Sequence, residues 1–208
     1  YVLSVASMGV GAFAAVAQKD IKRLMAYSSI GNMGYALIGV IAGGAGGIGA
    51  LVLYLVIYMV MTAGAFAVIL RMRRSGLVVS EIADLSGLSR TAPALAWAMA
   101  ILMFSMSGIP PMAGFFGKFM IFKAAIETGY YGLAVLGVLT SVVAAFYYLR
   151  IVKVMFFDEA AEPFDTEPAF LQKAVLFVSV VFILGFIFAP GVFIEAFGGA
   201  ASALFVSG

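Results

Sequence analysis

Residues 107–114 read Ser-Gly-Ile-Pro-Pro-Met-Ala-Gly, in the middle of an apolar run over residues 94–126. A regular membrane-spanning helix needs about 20 residues, so this run is too long for one regular span. Proline lacks a backbone N–H and glycine disfavours helix, so we expect a break at 107–114. The residues expected to break the helix are Gly108, Pro110, Pro111 and Gly114. Broken membrane helices lie inside protein or beside polar cavities, and a simple proline kink is the alternative interpretation.

The composition of the 208-residue chain excludes a water-soluble domain. Hydrophobic residues make up 64% and charged residues 11%, whereas soluble domains carry about 25% charged residues. The chain has no Cys and no His, which excludes disulfides, iron–sulfur clusters and histidine-ligated haem. We therefore predict no metal site and no catalytic residue. The net charge of +2 gives no reason to expect nucleic-acid binding.

Six apolar segments predict an all-α, polytopic transmembrane helix bundle with one proline- and glycine-broken helix, forming a single domain. We expect crossings at about residues 1–17, 24–42, 48–70, 94–126, 131–156 and 171–189, and an apolar tail at 192–208. The tail is expected to prolong the last helix or to lie along the surface. The chain opens at Tyr1 within an apolar run and lacks the features of a signal peptide, so we expect it to be part of a longer protein.

The distribution of Lys and Arg predicts the orientation in the membrane. Ten of the twelve basic residues fall in or beside three loops, at 18–23, 71–93 and 157–170. The positive-inside rule makes these loops cytoplasmic. Two crossings by residues 94–126 would put the third loop on the opposite side, so a single broken crossing fits the charge pattern.

The two remaining basic residues, Lys118 and Lys123, lie within the broken segment. Counting back from Glu127 at about 1.5 Å per residue places Lys118 about 14 Å from the outer boundary, near the middle of the hydrocarbon core. A charged lysine there is costly unless a polar group meets it, and unlike arginine it can lose its proton. We predict that Lys118 takes part in proton transfer. We also predict proton transfer for Lys123, and snorkelling to the interface is the alternative for both lysines. By residue type Lys22 is a positive-inside anchor.

Other polar and aromatic residues have structural explanations. Tyr54, Tyr58 and Thr62 repeat every four residues along one helix face. This polar stripe could line a water chain, although interhelical hydrogen bonding is its commoner use. Aromatic belts at the two membrane interfaces are expected to contain Trp97, Tyr130, Tyr131, Tyr147 and Tyr148.

Several stretches together resemble subunit N of bacterial NADH–quinone oxidoreductase (respiratory complex I), one of its antiporter-like membrane subunits. They are residues 18–35 (QKDIKRLMAYSSIGNMGY), 84–87 (DLSG), 106–123 (MSGIPPMAGFFGKFMIFK) and 147–150 (YYLR). The first pattern is shared by the whole antiporter-like group, including cation/proton antiporter subunits. The third pattern, with Gly-Lys-Phe after Gly-Ile-Pro-Pro, looks distinctly like subunit N. The resemblance covers nearly the whole chain, aligned to the C-terminal half of that subunit.

The resemblance implies a fold of fourteen transmembrane helices with two inverted five-helix repeats, each holding one broken helix. Residues 94–126 resemble the second broken helix, and Lys118 matches its lysine, which is thought to serve the outward half-channel. The segments at 1–17 and 24–42 look like the ninth and tenth crossings. Lys22 matches a lysine at the start of the tenth, so the resemblance adds Lys22 to the expected proton-transfer residues. The glutamate and lysines of the family's first half have no counterpart in this sequence.

The implied function is that of a proton-translocating subunit, which couples quinone reduction to proton transfer through intramembrane lysines. The chain would be an enzyme only as a subunit of the NADH:quinone oxidoreductase. It would hold no cofactor, and FMN, iron–sulfur clusters and quinone are expected in other subunits. The expected partners are the other membrane-arm subunits and the lipid bilayer of the bacterial inner membrane, or of the mitochondrial inner membrane if the protein is organellar. The alternatives are a subunit of an Mrp-type multisubunit cation/proton antiporter and a purely structural role.

Overall fold

A computed structural model of the chain describes residues 1–165 and 170–196. Within these ranges the fold is a helix bundle with one small hairpin at its end. The helices are α1 (Val2–Val16), α2 (Ile21–Ala42), α3 (Gly44–Ile69), α4 (Leu88–Thr91), α5 (Pro93–Ser107), α6 (Ala113–Glu127), α7 (Tyr131–Phe157) and α8 (Phe170–Phe188). Strands β1 (Arg73–Arg74) and β2 (Leu77–Val78) form the antiparallel hairpin, and a 3-10 helix covers Ile82–Leu85.

Among the described residues, four helices are long and apolar enough to cross a membrane, namely α2, α3, α7 and α8. Helices α1, α5 and α6 have 15 residues each, or about 22 Å, which is less than a hydrocarbon core of roughly 30 Å. Helices α5 and α6 follow each other and divide the long apolar run between them. The count of six crossings stays a prediction.

Helix α2 begins at Ile21, slightly before the predicted start, because Asp20 caps it. The Asp20 carboxylate accepts a hydrogen bond from the backbone N–H of Arg23 (2.9 Å), which satisfies one of the donors left free in the first turn. The same carboxylate also accepts a hydrogen bond from the Ser80 hydroxyl. Helix α3 also begins earlier than predicted, at Gly44, directly after Gly43 ends α2.

The predicted C-terminal segments are only partly described. In the predicted tail, residues 192–196 are helical and continue a turn of helix that starts at Pro190. Residues 197–208 of the tail lie outside the described residues, as do residues 166–169 of the predicted loop at 157–170.

The broken segment lies inside the bundle because α5 is packed on several sides. Helix α5 contacts α3, α7 and α8, and its Met99, Leu102 and Met103 side chains are fully buried.

Helices α1 and α2 approach closely where glycine faces glycine, since a Cβ on Gly11 would overlap the backbone of Gly31. Small residues at helix contacts are typical of membrane bundles.

Arg74 ties two loops together at one end of the bundle. Its guanidinium donates to Asp84 Oδ1 (2.8 Å), to the Asp84 carbonyl (2.8 Å) and to the Glu162 carbonyl (2.8 Å). The Asp165 carboxylate accepts the backbone N–H groups of Ser75 (3.1 Å) and Gly76 (3.0 Å). The loop at 71–93 therefore contacts the described part of the loop at 157–170, so both lie at the same end, as the charge pattern requires.

Two of the predicted interfacial aromatic residues are buried instead. Trp97 is 59% exposed and Tyr131 is 64% exposed, as a residue of an aromatic belt should be. Tyr147 and Tyr148 are 1% and 0% exposed. The belt prediction is wrong for this pair because α7 turns both rings into the bundle, where the Tyr148 hydroxyl is hydrogen bonded to Ser28.

Candidate functional site

The Lys118 side chain is buried at the helix break, with only 5% of the residue exposed. Its Nζ donates hydrogen bonds to the carbonyl oxygens of Met106 (3.0 Å) and Ser107 (3.4 Å) and to the Ser141 Oγ (2.9 Å). Met106 and Ser107 end α5, Lys118 belongs to α6 and Ser141 belongs to α7. The amine therefore joins three helices.

The break supplies the acceptors that Lys118 binds. The last carbonyls of a helix have no partner within the helix and carry partial negative charge. Helix α5 ends when Gly108 adopts the left-handed conformation (φ 82°), which glycine accepts without strain. The carbonyls of Met106 and Ser107 would be costly to bury unpaired, and the Lys118 amine satisfies both.

Gly114 sets the spacing of the two half-helices. Its backbone N–H donates to the Ser105 Oγ (3.0 Å), and a Cβ at this position would overlap the Ser105 carbonyl oxygen. Pro110 and Pro111 are exposed on the connecting segment. The non-helical connection covers residues 108–112, which is narrower than the predicted 107–114, because Ser107 and Gly114 themselves belong to the flanking helices.

Tyr35 of α2 covers the amine of Lys118. The Lys118 Nζ lies 5.4 Å from the centroid of the Tyr35 ring, a distance at which an aromatic face attracts a cation. The Tyr35 hydroxyl donates to the Thr140 Oγ1 (3.2 Å), so its ring is held between α6 and α7. Tyr35 also packs edge-on against Tyr54 at a centroid distance of 6.5 Å.

Asn32 is the centre of a second buried polar cluster, one turn from Tyr35 on α2. Its Oδ1 accepts the Tyr54 hydroxyl (2.7 Å), and its Nδ2 donates to the Ser28 carbonyl (2.8 Å) and the Ser28 Oγ (3.1 Å). The Tyr148 hydroxyl lies 3.4 Å from the Asn32 Nδ2. Helices α2, α3 and α7 are therefore joined by hydrogen bonds inside the bundle.

The predicted polar stripe on α3 is used mainly for contacts between helices. Tyr58 donates to the Ser29 Oγ (2.7 Å), just as Tyr54 donates to Asn32. The Thr62 hydroxyl is buried and has no hydrogen-bond partner within residues 1–165 and 170–196. Tyr54 and Tyr58 therefore serve interhelical hydrogen bonding, which is the commoner use of such a polar stripe.

A cavity of about 790 Å³ opens beside Lys118, between α6, α7 and the break. Most of its wall is apolar. The polar residues that line it are Ser107, Lys118, Lys123, Glu127 and Ser141. Lys123 and Glu127 form an ion pair (3.6 Å) whose side chains are 51% and 60% exposed. This pair lies at the rim of the cavity, and such exposed pairs contribute little to stability.

The structure does not bring the three predicted lysines together. Lys22 lies in the first turn of α2, about 20 Å along the helix from Tyr35, the residue that covers Lys118. Lys123 is paired with Glu127 rather than with a group near Lys118. Only Lys118 is in contact with the helix break.

Several residues of the site were missed in the sequence. They are Ser28, Asn32, Tyr35, Thr140, Ser141 and Tyr148. The first three share one face of α2, since they are separated by four and three residues, and this spacing was a usable signal. Ser141 is one hydroxyl in an apolar helix, and its sequence position carries no such signal.

Comparison with known proteins identifies the family. Residues 1–144 match the family described as NADH:quinone oxidoreductase/Mrp antiporter, TM. The chain belongs to this family. Known structures agree with this assignment: a chain of respiratory complex I from Thermus thermophilus with bound aureothin superposes with a TM-score of 0.83 at 36% identity, over 94% of this chain and 44% of that chain. The predicted all-α antiporter-like bundle is confirmed.

Within the NADH:quinone oxidoreductase/Mrp antiporter family, the chain is similar to subunit N, which confirms the resemblance. It is 54% identical over 203 residues to NADH-quinone oxidoreductase subunit N of Paramagnetospirillum magneticum and 56% identical over 202 residues to that of Parvibaculum lavamentivorans. These alignments cover 98% and 97% of this chain and 42% of each relative. The chain therefore spans less than half the length of these relatives. A chain of the Mrp complex from Dietzia sp. shares the fold, with a TM-score of 0.84 at 23% identity.

Proposed function

We propose that the chain is part of a proton-translocating membrane-arm subunit of an NADH–quinone oxidoreductase, and that Lys118 exchanges a proton during transport. The observation that carries this proposal is the buried Lys118 amine, bonded to the Met106 carbonyl at the break between two half-helices. Intramembrane ionisable residues are costly and usually functional. The similarity to subunit N of other bacteria supports the choice of complex.

The surroundings of Lys118 are suited to reversible protonation. The charged amine is stabilised by two carbonyls of α5, by Ser141 of α7 and by the ring of Tyr35 on α2. Because these groups belong to three helices, a small shift of one helix changes the free energy of the charged amine. Such a shift, driven by quinone reduction elsewhere in the complex, would release or take up a proton.

Polar side chains supply a route toward Lys118 from the predicted cytoplasmic end. Ser29, Asn32 and Tyr35 rise along one face of α2 over about 9 Å, and Lys22 lies at the start of the same helix. We assign Lys22 to proton entry and Lys123 to the outer rim of the cavity. Water is expected to bridge Asn32 and Tyr35, since no direct hydrogen bond joins their side chains among the described residues.

The proposed setting is supported by these relatives and by the distribution of Lys and Arg along the chain. Partners are the other membrane-arm subunits of the complex and the lipid bilayer, in the bacterial inner membrane, with the loops at 18–23, 71–93 and 157–170 on the cytoplasmic side. The chain itself would hold no cofactor. FMN, iron–sulfur clusters and quinone would belong to other subunits, and the enzyme activity would be that of the whole complex.

An Mrp-type cation/proton antiporter is the competing assignment within the family. The identity of 54% to a subunit N relative, against 23% to the Mrp chain that shares the fold, favours the oxidoreductase. The proteins that copurify with the full subunit distinguish the two, because an antiporter would bring only antiporter subunits and no NADH-oxidising ones.

The test of Lys118 uses the full complex reconstituted in vesicles. Lys118→Met keeps the length of the side chain and removes the proton, and Lys118→Arg keeps the charge on a group that does not deprotonate. Both variants should lower NADH-driven proton pumping by roughly 10²-fold, the lower end for a proton-transfer group. Lys153→Ala, which removes an exposed lysine near the C-terminal end of α7, is the matched control and should pump normally. Normal pumping by an assembled Lys118→Met complex would reject the proposal.

A further inference from the structure

We propose that the Ser141 hydroxyl is the relay through which the buried Lys118 amine passes its proton to the cavity between α6 and α7. This inference rests on the proposed role of Lys118. It adds a second residue to the proton path, on α7 rather than α6. It also assigns the cavity as the space on the outer side with which Lys118 exchanges its proton. The geometry around the amine is what points to Ser141.

The three partners of the Lys118 amine are chemically unequal. The carbonyls of Met106 (3.0 Å) and Ser107 (3.4 Å) can only accept hydrogen bonds. The Ser141 hydroxyl (2.9 Å) can accept from a charged amine and can donate to a neutral one. Ser141 is thus the one partner of the three that can accept the departing proton and, afterwards, donate a hydrogen bond to the lone pair of the neutral amine.

Ser141 differs from the adjacent Thr140 in how its hydroxyl is held. Thr140 Oγ1 donates to the carbonyls of Leu136 (2.9 Å) and Gly137 (3.1 Å) and accepts from the Tyr35 hydroxyl. Its proton is therefore committed to the backbone of α7. Within residues 1–165 and 170–196, the Ser141 hydroxyl donates to no backbone carbonyl, and its hydrogen-bond partners are the Lys118 amine and the Tyr35 hydroxyl. Its proton is therefore not held by the backbone of α7.

Ser141 also has the position that a relay requires, because it contacts the Lys118 amine and lines the cavity. Lys118 and Ser141 both line the cavity of about 790 Å³. Lys118 is 5% exposed, whereas Ser141 is only partly buried. At the far end, the Lys123–Glu127 ion pair forms the rim of the same cavity. A proton that leaves the amine through Ser141 therefore enters a space that opens toward the predicted outer boundary.

The step is a concerted proton shift. The ammonium N–H bond of Lys118 breaks as its proton binds the Ser141 oxygen, while the Ser141 O–H bond breaks and that proton passes to a water molecule in the cavity. Lys118 ends as a neutral amine, Ser141 is unchanged and the water carries the positive charge. The reverse sequence reprotonates the amine.

The test compares Ser141→Thr with Ser141→Val in the full complex in vesicles. The two side chains have nearly the same shape, and only threonine keeps the hydroxyl. We expect Ser141→Thr to pump within about twofold of the native complex, and Ser141→Val to lose about tenfold or more, the size expected for one lost hydrogen bond to a charged group. The number of protons pumped per NADH oxidised should fall in the Val variant alone.

The controls separate this inference from the proposed function. Thr128→Val removes a hydroxyl that donates to the carbonyl of Ala124 at the end of α6, and should pump normally. Equal pumping by Ser141→Thr and Ser141→Val, alongside a failed Lys118→Met, would overturn the relay and leave the role of Lys118 intact. Normal pumping by Lys118→Met would reject both. Equal losses in the Thr and Val variants would assign Ser141 a packing role and also overturn the relay.

Discussion

The Lys118 amine lies 3.0 Å from the carbonyl oxygen of Met106, although the two residues belong to opposite halves of the broken helix. In a continuous helix they would be separated by about 18 Å along the axis. The break therefore creates the contact, since it turns the second half-helix so that its lysine meets the free carbonyls of the first. The break leaves carbonyl oxygens that a cation stabilises, and it also places the Lys118 amine beside them.

Asn32 and Tyr54 should be energetically coupled. Tyr54→Phe leaves the buried Asn32 Oδ1 without its donor, which should destabilise the subunit by about 1–3 kcal/mol. Asn32→Leu should cost at least as much. Because the double variant leaves neither group unpaired, it should cost less than the sum by about 1 kcal/mol, measured from unfolding of the purified complex. Tyr27→Phe, whose hydroxyl makes no hydrogen bond within residues 1–165 and 170–196, is the control. Strict additivity would contradict the coupling.

Gly114→Ala should prevent normal assembly of the subunit. The new methyl group would overlap the Ser105 carbonyl oxygen, so the two half-helices would have to move apart and Lys118 would lose its carbonyl partners. Gly46→Ala is the matched control, because a Cβ at that position has open space around it. The amount of assembled complex in membranes, measured by native gel electrophoresis, should fall for Gly114→Ala and stay unchanged for Gly46→Ala. Normal levels of both would show that the close approach is dispensable.

Arg74→Ala should loosen the segment that follows α7. The backbone N–H groups of Ala161 and Asp165 donate to the carbonyls of Ser86 (3.0 Å) and Arg73 (2.9 Å), and Arg74 holds the two loops in contact. Loss of its bonds should speed deuterium exchange at those two amides. The control is Arg73→Ala, since the Arg73 side chain is exposed and only its backbone carbonyl takes part. Equal exchange in both variants would mean that Arg74 does not tie the loops.

Asp20 should make the start of α2 sensitive to acid. Burial alone would raise the pKa of Asp20, but hydrogen bonds from Ser80 and from the backbone N–H groups of Arg23 and Lys22 outweigh it, so the pKa lies below its usual value of 3.8. A carboxyl whose pKa is lower in the folded state contributes stability above its unfolded pKa. That stability is lost as the pH falls through the folded value.

Asp20→Asn removes the titration and keeps a good N-cap. The native complex should be more stable than the variant at pH 7, and the difference should begin to shrink as the pH falls below about 4, the usual range of an aspartate. Thermal unfolding followed between pH 7 and pH 3 measures this difference. Glu159→Gln, at an exposed position, should show no such trend. A difference that does not shrink at all between pH 7 and pH 3 would contradict the role of the charge.

The sequence predicted those features of the site that are set by the order of residues within a single segment. Hydropathy located the apolar segments, and the two adjacent prolines located the break, because both effects act on the local chain. The depth of Lys118 in the membrane, counted from Glu127, stays a prediction. Each of these inferences uses only rise per residue and backbone chemistry.

The remaining parts depend on rotation of helices about their axes, which a weak apolar pattern does not fix. Nearly every face of α7 is apolar, so the sequence did not show that Tyr148 and Ser141 turn inward while Leu149 faces outward. Contacts between distant segments are equally hidden, as with Arg74 and the Glu162 carbonyl. The rotation of a helix and its contacts with distant segments are both determined by tertiary packing.

The fit of Gly114 against Ser105 also restricts how the amine can switch its accessibility. With no room for even a methyl group between the half-helices, their backbones cannot slide together to expose first one side and then the other. Between α5 and α6 the mobile part is then the side chain of Lys118, a flexible stem of four carbons on a fixed base, and the helix shift proposed above is left to α7 or α2. Alternation between the inner and outer paths would then be a change of rotamer, which needs far less displacement than a rocking of whole helices.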